Sequence, residues 1–292
     1  MRLLTKFTVI FTVVFGLGLA MTGFFLWNVL HQNARSQVIQ QAQLMMESAL
    51  ATRNYTSEKI QPVLTAMMAN TEKFYPQSVP AFGATEDFNY LRKTYPEYTY
   101  KESALNPTNL RDRATDWEAD IINHFRNNPE TRVYMGERDT PGGRALFLAR
   151  PIRAAPSCLV CHSEPDNAPA KMTELYGKSN GFGWKSGEVI AAQIVTVPMS
   201  VPVALADKAF KEIMILLVAV GIAALAVLDL TLWFTVIRPV VRFAGMADEI
   251  SKGHMDIPEL AVDGHDEISV LAAAFNRMHR SLAKALQMLD GQ

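Results

Sequence analysis

Two long apolar stretches constrain the fold of this chain more than any other feature of its sequence. Residues 7–30 carry no charged side chain, and residues 213–237 carry a single ionisable group, Asp229. At a rise of about 1.5 Å per residue, either stretch forms a helix long enough to cross a hydrocarbon core of about 30 Å. The sequence therefore predicts two transmembrane helices, over residues 7–30 and 213–237.

Each stretch has an alternative interpretation. The first could be a cleaved signal peptide, because Gly18-Leu19-Ala20 has the small residues of a cleavage site. The apolar stretch nevertheless continues for ten positions beyond Ala20, which favours an uncleaved anchor. In the second stretch, Asp229 is either a proton or signalling site or an interhelical contact in a dimer, and we favour the interhelical contact.

The basic residues that flank the two stretches predict the orientation of the chain. Arg2 and Lys6 precede the first stretch, and Arg238 and Arg242 follow the second. Because lysine and arginine are enriched on the cytoplasmic side of membrane helices, both ends are predicted to be cytoplasmic. The predicted organisation is a cytoplasmic N-terminus over 1–6, an outer domain over 31–212 and a cytoplasmic region over 238–292.

The overall charge and the cysteine content exclude several classes of protein. The chain has 28 Lys and Arg against 29 Asp and Glu, a net charge of -1, and no tract rich in basic residues. Nucleic acid is therefore not an expected partner, because phosphate binding depends on local positive charge. With 49% hydrophobic residues and two cysteines, the chain is neither disordered nor a disulfide-stapled scaffold.

The outer segment combines one long helix with short strands. The spacing of Val38, Ala42, Met45 and Ala49 predicts that the first helix continues outwards, and Pro62 predicts a kink or a new helix that runs to about Phe74. This order predicts an α+β fold, with a small antiparallel sheet that resembles the PAS-like sensor modules found outside bacterial membranes. The expected strands cover 98–105, 131–137, 144–150 and 188–197, and a capping box at 115–118 opens a helix to about Asn127.

The motif Cys158-Leu159-Val160-Cys161-His162 is the strongest chemical signal in the chain. Two thiols three positions apart can form thioethers with both vinyl groups of one haem, and the histidine that follows them can ligate the iron. The motif lies on the predicted outer side of the membrane, where c-type haem is attached. We therefore predict one covalent haem c per chain, held by Cys158, Cys161 and His162.

Two other interpretations of the motif are weaker. A structural zinc site needs four ligands, and the motif supplies three. A Cys158–Cys161 disulfide is geometrically possible in an oxidising compartment but leaves His162 without a role.

The ligand on the opposite face of the iron is not determined by the sequence. A thiolate is excluded because the chain has no third cysteine. Arginines near the motif are candidate partners of the haem propionates, and Gly181-Phe182-Gly183-Trp184 could wrap a flat macrocycle. The candidate sixth ligands are His124, Met45, Met46, Met67, Met68, Met135, Met172, a water molecule or none, and the candidate propionate partners are Arg111, Arg113, Arg144, Arg150 and Arg153.

The cytoplasmic region contains two amphipathic helices joined by a polar connector. In the second helix Ile268, Leu271, Phe275 and Met278 follow a heptad spacing, which predicts a parallel four-helix bundle in a homodimer. The segments 266–268 (Asp-Glu-Ile) and 275–278 (Phe-Asn-Arg-Met) resemble the second-helix signature of HAMP signalling modules.

Over nearly its full length, the chain resembles bacterial membrane sensors in which a periplasmic c-type haem domain precedes a HAMP module. The resemblance implies a PAS-like haem domain, with Cys158, Cys161 and His162 as its haem residues, and a location in the bacterial inner membrane. It rests on the motif at 158–162, the HAMP signature, and the segments 55–58, 106–109, 176–177, 180–185 and 187–188.

The function expected from these features is sensing rather than catalysis. Redox state or a diatomic gas at the haem would change the second membrane helix and HAMP, and a separate cytoplasmic protein would supply the output unless the sequence is a fragment. The alternative is an anchored cytochrome that exchanges electrons with a membrane redox complex. An enzyme is not expected, because no distal His and Arg pair can be identified in the sequence.

Overall fold

The first apolar stretch lies within one long helix, α1 (Leu3–Tyr55). This computed structural model describes residues 3–68, 71, 73–262 and 264–290. Arg2, which contributed to the predicted orientation, and the last two residues of the region 238–292 lie outside the described residues. The chain divides into two units, one formed by Met1–Trp27 with Phe210–Gln292 and the other by Asn28–Ala209. The second is called the outer unit because it corresponds to the segment predicted to lie outside the membrane.

The outer half of α1 confirms the expectation that the first helix continues beyond the apolar stretch. Val38, Ala42, Met46 and Ala49 are fully buried at spacings of four and three, and they pack on one face of the sheet. Met46 takes the core position that the sequence pattern assigned to Met45, which packs only at the margin of this core.

A turn of π-helix interrupts the helical arm shortly before Pro62. It covers Thr56–Ile60, and a new helix, α2 (Gln61–Met68), follows with Pro62 in its first turn. Because proline cannot donate to the preceding turn, a local change of helix type is the expected consequence. The new helix was predicted, but it ends before the expected Phe74. The next helix, α3 (Pro80–Leu91), was not predicted from the sequence.

Four antiparallel strands form the sheet of the outer unit, which confirms the predicted α+β class. Their order is β1-β4-β3-β2. The β2–β3 hairpin closes where Thr140 pairs with Gly143, so the turn is shorter than the predicted Pro141-Gly142-Gly143. The strands are β1 (Thr99–Ala104), β2 (Tyr134–Thr140), β3 (Gly143–Arg153) and β4 (Val189–Pro198).

Helices cover both faces of this sheet. One face carries α1, against Leu146, Leu148, Val195 and Val197. The opposite face carries α4 (Asp116–Asn127), whose buried residues include Ile122 and Phe125. The predicted capping box opens α4, with the Thr115 backbone N–H donating to Glu118 Oε2 at 2.8 Å. Two short helices, α5 (Pro156–His162) and α6 (Ala170–Tyr176), lie between β3 and β4.

The second apolar stretch lies in α7 (Ser200–Leu232) and a π-helical turn at Trp233–Ile237. Two helical stretches, Leu3–Met68 and Ser200–Ser251, are long and apolar enough to cross a membrane, and the side chains of their apolar windows are almost entirely exposed. Asp229 accepts a hydrogen bond from Thr8 Oγ1 at 2.9 Å, so it contacts the other apolar helix of the same chain. Interhelical hydrogen bonds of this kind stabilise helix pairs in membranes.

The C-terminal part of the chain consists of α8 (Arg238–Ser251), a connector and α9 (Glu267–Asp290). Asn276 of α9 is buried and makes two hydrogen bonds to the connector. Its Oδ1 accepts from Leu260 N at 3.0 Å, and its Nδ2 donates to Leu260 O at 2.8 Å. His279 Nε2 donates to Met255 O at 3.1 Å. Leu271 and Met278 of the predicted seam are exposed in the single chain.

Candidate cofactor site

Cys158 and Cys161 lie on one short helix. Helix α5 begins with Pro156 in its first turn, where the missing N–H costs no helical hydrogen bond. Three positions apart on a helix, the two cysteines share a face, and both are half-buried free thiols. Burial raises the pKa of Cys161, and the neighbouring Cys158 raises it further. Because of their spacing on the helix, both sulfur atoms lie on the same side of α5.

The orientation of His162 is determined by a distant loop. Its Nδ1 lies 2.7 Å from the Gly181 carbonyl oxygen and 3.3 Å from Thr108 Oγ1. Since a carbonyl can only accept, Nδ1 carries the proton and Nε2 presents a lone pair, which has no hydrogen-bond partner among the described residues. Burial lowers the pKa of His162 although the bond to Gly181 opposes the shift, which favours the neutral imidazole that ligates metals.

The loop that holds His162 depends on a glycine. Gly181 has a φ of +83°, and a Cβ there would lie 2.8 Å from both the Cα and the N of Thr108. Asn106 Oδ1 accepts from Gly181 N at 3.2 Å. The structure thus brings together the segments 106–109 and 180–185, which the sequence resemblance had singled out separately.

Backbone hydrogen bonds and one aromatic ring complete the surroundings of His162. Gly183 N donates to Ser163 O at 2.8 Å, and Trp184 N donates to His162 O at 3.2 Å. The Trp184 ring stacks on the imidazole with centroids 4.0 Å apart, and it packs together with Leu159 of α5 against Ala104, Ala154, Ile190 and Ala191. Apolar side chains therefore anchor α5 to the end of the sheet.

A cavity of about 610 Å³ opens on the sheet near this end, and three arginines line it. Arg150 and Arg153 were among the predicted propionate partners, whereas Arg132 was missed because it lies in a loop without a motif. Arg150 pairs with Glu47 at 2.7 Å, and Arg153 donates to Pro129 O at 2.7 Å. The other lining residues are Leu50, Pro129, Glu130, Thr131, Pro151 and Gln193.

Two further arginines that were candidates for the propionates are engaged with carboxylates. Arg111 pairs with Glu86 at 2.6 Å, and Arg144 pairs with Glu137 at 3.0 Å. The Arg113 backbone carbonyl accepts from Lys101. Neither Arg111 nor Arg144 lines the cavity that contains Arg150 and Arg153.

The candidate sixth ligands occupy different environments. Met46 and Met172 are buried, Met67 and Met135 are about half exposed, and the Met68 sulfur accepts from Tyr75 N at 3.5 Å. His124 stacks on Tyr134 with ring centroids 4.3 Å apart.

The side chains at the site that could ligate a metal are the two cysteines and His162. Within the described ranges, no group of three or more His, Cys, Asp and Glu side chains is arranged to hold a metal ion. What the arrangement offers is a pair of thiols on one helix face and a neutral imidazole with one unpaired nitrogen.

Comparison with known proteins defines the outer unit. Residues 31–198, more than half of the chain, match the Tll0287-like family, described as Tll0287. The chain belongs to the Tll0287-like family. Residues 232–284 match the HAMP domain. The Tll0287-like domain is therefore followed by a HAMP domain, in the order that the sequence resemblance predicted.

A solved structure is similar to the Tll0287-like domain. It is the crystal structure of the cyanobacterial haem protein Tll0287, which is 18% identical, with a TM-score of 0.42, over 55% of this chain and 94% of that chain. No curated protein matches this Tll0287-like chain.

Proposed function

We propose that this protein is a membrane-bound c-type haem sensor that reports to a cytoplasmic partner through its HAMP domain. The observation that carries the proposal is the geometry of His162. Its Nδ1 is held by Gly181, and its Nε2 is unpaired next to two thiols on the same helix. The match to the Tll0287-like family, whose namesake Tll0287 is a haem protein, supports the same cofactor.

The residues at the site fit a covalently attached haem. The thiol groups of Cys158 and Cys161 would each add across one vinyl group, forming a C–S bond while the thiol proton goes to the neighbouring vinyl carbon. His162 would give its Nε2 to the iron, with Gly181 fixing the tautomer as outer-shell partners of metal-bound histidines commonly do. Arg132 and Arg153, which line the cavity, would pair with the haem propionates, and Arg150 would do so in exchange for Glu47.

A bound haem would supply a one-electron redox centre and, if no protein side chain holds the opposite face of the iron, a binding position for a diatomic gas. The protein's part is to hold the attachment helix against the sheet through Leu159 and Trp184. We propose that redox state or a gas at this site is the stimulus, and that the outer domain is PAS-like. A sensor is favoured over an enzyme because a HAMP domain follows the Tll0287-like domain.

The proposed location is the bacterial inner membrane, with spans at 7–30 and 213–237. Lys6, Arg238 and Arg242 would lie on the cytoplasmic side, so 31–212 would face the periplasm. The exposure of Leu271 and Met278 on α9 supports a homodimer in which the HAMP seams bury each other.

The spectrum of the purified protein tests this proposal. We expect the dithionite-reduced protein to show the bands of a c-type haem that survive denaturation. A band shift on adding carbon monoxide supports gas sensing, whereas unchanged bands indicate two protein ligands and favour redox sensing or electron transfer. Absence of haem from protein made in a host that matures c-type cytochromes contradicts the proposal.

The signalling half of the proposal has its own test. Deleting residues 266–292 should abolish the response of the cytoplasmic partner and leave the haem spectrum intact. If the response persists, the HAMP domain does not relay the signal, and this half of the proposal is wrong.

A further inference from the structure

A buried ion pair ties helix α1 to the sheet beside the attachment helix. Arg53 Nη1 of α1 pairs with Glu102 Oε2 of β1. The side chain of Glu102 is only 7% exposed and that of Arg53 is 24% exposed. A carboxylate buried to this extent is stable only when its charge is compensated, so the pair holds α1 in one position relative to β1.

Two more side chains extend this contact across the sheet. Tyr100 donates its hydroxyl proton to Glu102 Oε1 at 2.7 Å, and Gln193 Nε2 of β4 donates to the Tyr100 hydroxyl at 2.9 Å. Burial raises the pKa of Tyr100 and the Glu102 charge raises it further, so the tyrosine remains a donor. We call Arg53, Glu102, Tyr100 and Gln193 the Arg53 network.

The Arg53 network adjoins both parts of the candidate site. Glu102 and Ala104 lie on the same face of β1, and Ala104 packs with Leu159, the residue after Cys158 on α5. Gln193 lines the cavity that contains Arg150 and Arg153, and so does Leu50, three positions before Arg53 on α1.

Other contacts of α1 in the outer unit are apolar or exposed, and they include the exposed hydrogen bond from Thr52 Oγ1 to Asp87 Oδ2 at 3.3 Å. Val38, Ala42, Met46 and Ala49 make apolar contacts, which carry no charge. The ion pairs of Arg35 with Glu137 and of Glu47 with Arg150 include exposed partners, 56% for Arg35 and 61% for Glu47. Arg53 is therefore a largely buried α1 charge whose partner, Glu102, lies two residues from the contact between β1 and the attachment helix.

We infer that Arg53 is the positioning residue through which helix α1 responds to the charge at the attachment site, with Glu102 as the opposing charge. The inference rests on the proposed haem. One electron from an external donor, such as a reduced cytochrome, lowers the positive charge at the iron by one. That change alters the balance between the attraction of Arg53 to Glu102 and its repulsion from the site. Because α1 also contains the first apolar stretch, the response has a covalent path towards the membrane.

The coupling must be reciprocal, so the charges of the pair act on the haem in turn. Removing the positive charge in Arg53→Gln should disfavour the reduced haem about tenfold, equivalent to a potential about 59 mV lower for one electron. Glu102→Gln should shift the potential in the opposite direction. The double variant should return towards the native value, and Arg53→Lys, which keeps the charge, should stay close to it.

The experiment is a redox titration of the full-length, haem-loaded protein and these variants. Arg35→Gln is the matched control, because Arg35 also links α1 to the sheet but lies 18 positions earlier, about 27 Å along the helix. Shifts of opposite sign for Arg53→Gln and Glu102→Gln, with none for Arg35→Gln, support the inference. Shifts of the same sign, or no shift, overturn it.

Hydrogen exchange supplies a second readout that does not depend on the potential. Amide exchange over 49–55 should differ between ferricyanide-oxidised and dithionite-reduced native protein, and this difference should disappear in Arg53→Gln. Equal exchange in both states of the native protein overturns the inference while leaving the haem proposal standing. Protein that lacks covalent haem instead refutes the proposed function and, with it, this inference.

Discussion

Nδ1 of His162 lies 2.7 Å from the carbonyl oxygen of Gly181, although 18 residues separate them in the sequence. This hydrogen bond determines which imidazole nitrogen is left to bind iron. The Gly181 backbone is in turn packed against Thr108, so three segments distant in sequence define one ligand position.

Removing both thiols should abolish covalent haem attachment. In the double variant Cys158→Ser/Cys161→Ser no thioether can form, so haem staining of a denaturing gel should lose the band at the protein's mass. Each single variant keeps one thiol and should retain a weaker band with a shifted pyridine haemochrome spectrum. A stained band of native intensity in the double variant would contradict the attachment site.

Substituting Gly181 should weaken the hydrogen bond that orients the His162 imidazole. In Gly181→Ala the new Cβ meets the Thr108 backbone, and the φ of +83° is strained for alanine, at a cost of about 1–3 kcal/mol. We expect a lower yield of haem-loaded protein and a changed Soret band. The matched control is Gly177→Ala, where φ is +79° but nothing lies within 4 Å of the added Cβ. Equal effects of the two substitutions would show that the contact with Thr108 is unimportant.

Truncating Phe125 should destabilise the outer domain. This side chain is fully buried between α4 and the sheet, so Phe125→Ala should lower the free energy of unfolding by about 3–5 kcal/mol. Tyr90→Ala, at a residue 68% exposed, should change it by less than about 0.5 kcal/mol. Chemical denaturation followed by tryptophan fluorescence reports on the same core, since the ring centroids of Trp117 and Phe147 are 5.8 Å apart. Similar midpoints for both variants would contradict the packing.

Breaking the Asn276 contact should release the HAMP connector. Asn276→Ala leaves the N–H and C=O of Leu260 without their partner, and each unsatisfied buried group costs about 1–3 kcal/mol. Limited proteolysis should then cut the connector between Gly253 and Gly264 faster than in the native protein. Arg277→Ala, at the exposed neighbouring position, should be cut at the native rate. Native protection in Asn276→Ala would show that the connector is held by other contacts.

The elements that sequence analysis predicted correctly have local signals. The strands β1 and β4 and the capping box of α4 follow from residue type and spacing within a few positions. The helices α5 and α6 were missed because, at seven residues each, they have too few turns to show a periodic pattern. Helix α3 is as long as α4 but begins without a side-chain cap, so its start has no comparable signal. Their stability comes from packing, as in the contact of Leu159 with the apolar cluster at the end of the sheet.

Some residues of the candidate site were also predictable from the sequence, whereas others were found only in the structure. Cys158, Cys161 and His162 are adjacent in sequence, and their spacing alone indicated the chemistry. Arg132 belongs to no recognisable motif. It lines the same cavity as Arg150 only because the loop between α4 and β2 lies close to β3 in the fold. The choice between Met45 and Met46 as the core residue also depended on the exact rotation of α1 on the sheet.

The sequence by itself determined the two apolar helices, the thiol-imidazole motif and the heptad spacing of the HAMP domain, because each depends on neighbouring residues. Only the tertiary structure decided the orientation of His162 by Gly181 and Thr108 and the pairing of Arg53 with Glu102. These contacts join residues that are 19, 54 and 49 positions apart in the chain. A local sequence pattern cannot predict such contacts, because they form only when packing of the sheet and helices brings the segments together.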